Sequence, residues 1–188
     1  MSYHHHFIVN KPYGYISQFV CDVKKKKLLG ELFSFPEGTM AIGRLDEDSE
    51  GLLFLTTDGK KSEEVRSKKV EKEYYAQVDG LITDEAILKL QQGVEITVEK
   101  NKYLTLPCAV FRVGVEPVFP ERGRKIRNER HGPTSWVSIT LSEGKNRQIR
   151  KMTAAVGSPT LRLVRVRIGK IHLGTMQSGE VKEVEGFL

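Results

Sequence analysis

The chain has 188 residues, 39% hydrophobic and 29% charged, which is enough apolar material for a packed core and argues against disorder. Its net charge of +6 fits an anionic partner or a mere solubility charge equally until its distribution is read, and no apolar run approaches the length of a membrane-spanning helix. Cys21 and Cys108 are far apart with no CxxC pairing, which argues against a disulfide framework; with no signal-peptide core at the N-terminus, a reducing, cytoplasmic location is expected.

The first predicted element is a short strand, Phe7 to Val9, running into a turn at Lys11-Pro12-Tyr13-Gly14. His4, His5 and His6 precede it. Adjacent histidines on an extended chain point apart, so they are read as N-terminal decoration rather than a metal site. The lysine run "KKKKLLGELF" leads into a short helical piece ended by Pro36 and Gly38. "GLLFLTTDG" reads as a strand closed by an Asp-Gly turn, and "KSEEVRSKK" as a short polar helix. "KEYYAQVDG" alternates as a strand. "TDEAILKLQQGV" carries the clearest helix signals: Thr83 as N-cap, Asp84 and Glu85 in the first turn, Gly93 as the stop, and a buried stripe of Ala86, Ile87 and Leu90. "VEITVEKNKYLTLPCAVFRV" reads as strands joined by a Glu-Lys-Asn-Lys turn. Pro117 to Pro133 is a long, arginine-rich loop. Trp136 to Leu141 alternates, with Val137, Ile139 and Leu141 on one face. "EGKNRQIRKMTAAVG" is a turn and a helix stopped at Gly157, and "TLRLVRVRIGKIHLG" a final strand region. Strands outnumber helices and mostly follow hairpin-like connections. The class is α+β, a mostly antiparallel mixed sheet flanked by helices.

The charge is regional. Lys145 to Lys170 contains eight basic residues and no acidic one: Lys145, Arg147, Arg150, Lys151, Arg162, Arg165, Arg167 and Lys170. Arg147, Arg150 and Lys151 share a helical face by spacing, with Ile149, Met152 and Val156 on another. The Pro117–Pro133 loop adds Arg122, Arg124 and Arg127. A basic helix alone is most simply a solvated face. A helix, a strand and a loop that are basic together point to a polyanion surface, and arginine forks suit phosphate.

Against that background stands "GRLDEDSEGLLFLTTDG", Gly43 to Gly59, with the carboxylates Asp46, Glu47, Asp48 and Glu50. A solvated turn is one reading. A calcium loop is disfavoured, since the twelve-residue pattern and its distal bidentate Glu are missing. The third reading is a carboxylate that does chemistry, kept ionised among phosphates by Arg44 and an arginine from elsewhere. An adjacent cation lowers a carboxylate pKa by about 1–3 units.

The same residues carry a resemblance. "GRLDEDSEGLLFLTTDG" resembles the catalytic motif of the pseudouridine synthases typified by synthase A of the ribosomal small subunit. "NKPYG" resembles their first motif, "KEYYAQV" their Lys-x-Tyr strand, and "EGKNRQIRKM" their Glu-Gly-x-x-Arg-Gln-x-Arg-x-Met motif. The four occur in family order and span Phe7 to about Leu173. "KPYGYISQF", "PTSWVSITL" and "GSPTLRLVR" most resemble the synthase E group of the large subunit, which modifies 23S ribosomal RNA without a separate S4 domain. Thr57 departs from the usual Asn, and the Pro117–Pro133 loop has no position-by-position match.

The resemblance implies a pseudouridine synthase fold, bilobed around a central cleft, in a single catalytic domain over residues 1–188 with two subdomains and no S4 domain. It implies isomerisation of uridine to pseudouridine in RNA, with no cofactor and no metal, by a monomer. Asp46 corresponds to the catalytic aspartate, adding to the ribose C1′ or removing a C2′ proton. Arg150 corresponds to the arginine that keeps it charged. Tyr74 corresponds to the tyrosine that stacks on the target base, a contact worth roughly 1–3 kcal/mol. Ile149 supplies an apolar wall, Arg44 fills the space of a flipped nucleotide, and Lys72 and Arg147 bind substrate. Lys11 is read as structural rather than phosphate-binding, and Glu47 and Asp48 as facing water. Lys145, Lys151, Arg162, Arg165, Arg167, Arg122, Arg124 and Arg127 are the expected RNA-binding cations. Two rivals stand beside this: a non-catalytic RNA-binding or ribosome-assembly module, and a two-carboxylate glycosidase. The second is disfavoured by an aromatic content of 8% and by the basic charge.

Overall fold

The computed structural model describes residues 3–67 and 70–187. Lys68 and Lys69, the end of the predicted polar helix, lie outside the described residues. The chain divides into two compact units. Unit 1 comprises residues 1–70, 120–123 and 165–188, and unit 2 comprises residues 71–119 and 124–164.

In unit 1, β1 (His6–Lys11) lies antiparallel between β11 (Val181–Val184) and β3 (Glu50–Thr56), and β2 (Met40–Ile42) pairs with β3. β3 reads Glu-Gly-Leu-Leu-Phe-Leu-Thr and is buried at every position, as a strand covered on both faces must be. Its register sets Phe7 opposite Leu55 and Val9 opposite Leu53 at the centre of the core. A Cβ on Gly51 would lie 2.3 Å from the Arg165 carbonyl oxygen, and its φ is +107°. Only glycine lets the strand pass that close.

The Asp58-Gly59 pair, expected to close a turn, instead starts a helix. Asp58 Oδ1 accepts the backbone N–H of Lys60 at 2.9 Å and of Lys61 at 3.3 Å, capping α1 (Gly59–Ser67). The N-terminal histidines are not decoration either. His6 opens β1 and its Nδ1 meets Thr56 Oγ1 at 2.9 Å, while His5 Nδ1 meets Glu183 at 2.6 Å. β2 and β11 have no counterpart in the sequence reading. The lysine run ends in one 3-10 turn, Leu29–Glu31.

In unit 2, β4 (Lys72–Asp79) pairs antiparallel with β8 (Thr134–Leu141) over eight residues, from Lys72↔Leu141 to Asp79↔Thr134. β7 (Ala109–Arg112) pairs with the other side of β8. α2 (Asp84–Gln92) and α3 (Gln148–Ala155) contribute Ala86, Leu90, Ile149 and Met152 to a core with Val78, Val110, Val137 and Ile139. The expected caps of α2 are present: Thr83 Oγ1 accepts the Ala86 N–H, and Gly93 ends the helix at φ +98°. The strands predicted around residue 100 form a separate hairpin, β5 (Glu95–Val98) and β6 (Asn101–Leu104). β9 (Thr160–Ile168) carries the chain from unit 2 into unit 1, the boundary falling between Val164 and Arg165; β10 (Ile171–His172) pairs with it antiparallel. Residues 117–133 are irregular apart from a 3-10 turn at Glu129–His131.

Candidate active site

The acidic stretch in unit 1 is a braced turn. Ser49 N–H donates to the Asp46 carbonyl at 3.0 Å, closing it. The segment after β1 supports it from outside. Gly14 N–H donates to the Glu47 carbonyl at 2.8 Å, and Ser17 Oγ both donates to the Leu45 carbonyl and accepts the Leu45 N–H. Asp46 is half-buried, Arg44 exposed and Glu50 buried.

Lys11 lies beneath this turn with none of its surface exposed. Its ammonium donates to the carbonyls of Pro12 and Tyr15, fixing the bend of the first motif. Burial pushes its pKa down to about 8, while the carboxylates of Glu50, Asp46 and Asp48 pull the other way. The structural role expected for Lys11 is what the hydrogen bonds show. Glu47 reaches water but also salt-bridges Lys26, and Asp48 is half-buried rather than fully solvated.

Unit 2 supplies the strand and helix of the other two motifs. Tyr74 stands on β4 opposite Ile139, half-buried against the core, and Lys72 sits two residues earlier on the same face. α3 begins at Gln148, one residue later than the periodicity of Arg147, Arg150 and Lys151 assumes. Arg147 is the N-cap, in the left-handed region at φ 50°. That conformation costs on the order of 1 kcal/mol. Arg150, half-buried, donates to the Thr160 carbonyl at 3.5 Å. Lys151 is half-buried. Ile149 is 4% exposed and packed in the core with Met152, so the structure gives it a core role.

The turn before α3 is organised by Glu143. Its carboxylate accepts from the Tyr103 hydroxyl, from Leu106 N–H at 2.9 Å and from Gln148 Nε2 at 2.6 Å. Gln148 Oε1 in turn accepts the Lys145 N–H at 2.9 Å. The Glu143 carboxylate raises the Tyr103 pKa by accepting from, and repelling the ionised form of, the phenol. Glu143 and Gln148 lie inside the "EGKNRQIRKM" motif, where attention to the cations alone passes over them.

Two expected RNA-binding cations are tied to the protein, Arg165 buried and Arg127 half-buried. Arg165 is 3% exposed and its Nε donates to the Leu52 carbonyl at 2.7 Å. Arg127 pairs with Asp79 at 2.7 Å and donates to the Pro133 carbonyl at 2.8 Å. Arg167 donates to the Gly169 carbonyl and is half-buried. Arg162 lies over the Phe119 ring, Arg122 over the Tyr13 ring and Lys145 over the Tyr103 ring. Arg124 is exposed. Among the described residues no cluster of His, Cys, Asp and Glu is placed to hold a metal, and no helix is long and apolar enough to cross a membrane.

A family model described as RNA pseudouridylate synthase matches residues 5–155, which takes in the acidic loop, the Tyr74 strand and α3. The chain belongs to that family. This pseudouridine synthase is 42% identical over 181 residues to the ribosomal large subunit pseudouridine synthase E of Vibrio parahaemolyticus, covering 95% of this chain and 73% of that one. It is 40% identical over 176 residues to the enzyme of the same description from Xanthomonas campestris, covering 92% and 91%. The ribosomal large subunit pseudouridine synthase B of Bacillus subtilis is 29% identical over 182 residues, covering 95% of this chain and 67% of that one. A crystal structure of a pseudouridylate synthase matches with a TM-score of 0.77 at 24% identity, over 98% of this chain and 71% of that one, and shows the fold. The enzyme is thus an isomerase of uridine in RNA with the pseudouridine synthase fold.

Proposed function

We propose that this pseudouridine synthase isomerises a uridine of large-subunit (23S) ribosomal RNA, as a cytoplasmic monomer. The observation that carries the reading is identity of 40% spread over 92% of this chain and 91% of a relative named for that substrate. Asp46 is the catalytic carboxylate. Either it adds to C1′ as the N1–C1′ pair leaves with the uracil, or it takes a C2′ proton to leave a glycal. The detached base turns and C5 bonds to C1′, either displacing the aspartate ester or adding to the glycal while the carboxylic acid returns its proton to C2′; the C5 proton is then lost and N1 takes one up, so atoms balance without a cofactor. Tyr74 stacks on the base while it has no covalent link, and Arg150 is the arginine of the fourth motif; their places in the family motifs support these roles. Arg44, Lys72 and Arg147 hold the substrate strand.

The test is Asp46→Asn, read by pseudouridine mapping in 23S RNA and by RNA affinity. Loss of product with affinity within about twofold of wild type supports the assignment. Retained activity defeats it. Unaltered pseudouridine levels in cells lacking the protein would favour the non-catalytic RNA-binding alternative.

A further inference from the structure

The lysine run Lys24–Lys27 belongs to none of the family motifs, yet the fold of unit 1 brings it to the acidic loop. Ile16 N–H donates to the Lys27 carbonyl at 3.0 Å, and Tyr15 and Lys27 form an isolated parallel bridge. Lys26 salt-bridges Glu47, whose own carbonyl accepts from Gly14. Lys27 Nζ stands 5.5 Å from the centre of the Tyr15 ring, and the Arg122 guanidinium 4.5 Å from that of Tyr13. Segments 13–15 and 24–27 therefore line the Asp46 turn with two half-buried aromatic rings, each carrying a cation. Lys24, Lys25 and Lys27 are exposed beside them, with Lys25 held in a left-handed turn at φ 67°.

The loop itself opposes RNA. A carboxylate about 10 Å from a phosphate repels it by roughly 0.4 kcal/mol in water, and there are four. Within unit 1 Lys26 answers Glu47, and Lys11 answers Glu50, Asp46 and Asp48. The exposed Lys24, Lys25 and Lys27 add three positive charges on the rim, next to rings and a guanidinium plane on which bases stack.

We propose that residues 13–15 and 24–27 are the track for the single-stranded RNA next to the reacting uridine. The lysines meet its phosphates, and Tyr15 together with the Tyr13–Arg122 pair meets its bases. This rests on the proposed function and adds to it the lysine run and the two tyrosines, which lie outside the basic segments that the sequence singles out.

The test uses the full chain and a short fluorescent oligouridine, with affinity measured across salt concentrations. For Lys24→Gln/Lys25→Gln/Lys27→Gln, the slope of log affinity on log salt should fall by about 2, since each single-strand phosphate contact contributes roughly 0.7. Tyr15→Leu should weaken binding about 5- to 150-fold, and Tyr15→Phe, which keeps the ring, should not. The substituted lysines are exposed, so thermal unfolding at the wild-type temperature verifies that the variant is folded. A triple-variant slope within about 0.5 of wild type overturns the lysine track. Equal affinities for the Leu and Phe variants overturn the stacking. Wild-type isomerisation of 23S RNA is scored separately: a wild type that makes no pseudouridine while the triple variant loses slope sinks the proposed substrate and leaves this surface standing.

Discussion

At the scale of single residues, Lys11 shows how a motif position can serve the active loop without touching substrate. Its aliphatic stem and ammonium are enclosed, and two backbone carbonyls replace the water it gave up. Desolvation outweighs the nearby carboxylates, so its native pKa of about 8 lies below the ordinary 10.5. Between those values the unfolded chain holds more protons than the folded one, and folding stability contributed by this group rises with pH. The full shift corresponds to about 3 kcal/mol, at 1.36 kcal/mol per unit. Urea unfolding of wild type and Lys11→Met on both sides of that window should show wild type gaining by that order relative to the variant as pH rises. A difference that stays constant with pH would mean that Lys11 is not held in this buried state. The partners of Lys11 were beyond sequence reading. Nothing in "NKPYG" says that the lysine folds back on its own turn, because that depends on burial imposed by β3.

At the scale of elements, close backbone approaches and polar hubs fix what propensity leaves open. Gly51→Ala should lower stability by about 2–5 kcal/mol, combining the cost of a positive φ with displacement of the Arg165 backbone. Thermal unfolding checks it, and a loss under about 1 kcal/mol would mean that β3 can shift to make room. Glu143 joins the β5–β6 hairpin to the turn before α3, with three donors on one carboxylate. Glu143→Gln replaces the carboxylate by one amide oxygen and one amide N–H, so a single acceptor atom is left for three donors. It should cost about 1–3 kcal/mol and return the Tyr103 phenol toward its ordinary pKa. Ultraviolet titration and hydrogen exchange at Leu106 report the two effects; an unchanged phenol titration would remove Glu143 as its partner. Elements with local signals were legible: α2 from Thr83 and Gly93, and β8 from its alternating Val137, Ile139 and Leu141. β2 and β11 were not, because strands of three and four residues exist by pairing with β3 and β1 rather than by their own pattern. Asp58-Gly59 was misjudged because the same dipeptide suits a turn and a helix cap, and the residues after it choose between them.

At the scale of the molecule, counting cations along the chain overestimates the RNA surface. The regional excess is real, but Arg165 and Arg127 are spent on Leu52, Asp79 and Pro133 inside the units. Burial is a tertiary property, so an arginine that braces a strand and one that faces phosphate look alike in sequence. The α+β class and the family were legible because four motifs recur in order. The functional residues were legible only as a roster, since supports such as Ser17 and Glu143 are polar residues with partners far along the chain, Leu45 for one and Tyr103 and Leu106 for the other. Two substitutions separate the kinds of arginine. Arg124→Gln, at an exposed position, should lower the salt slope of RNA affinity by about 0.7, the signature of one single-strand phosphate contact. Arg127→Gln should do the reverse. It breaks the Asp79 pair and the Pro133 bond, costing about 1 kcal/mol of stability, and leaves the slope alone. A slope that falls equally in both variants would mean that Arg127 leaves Asp79 to meet RNA, and that the sequence count had the surface right after all.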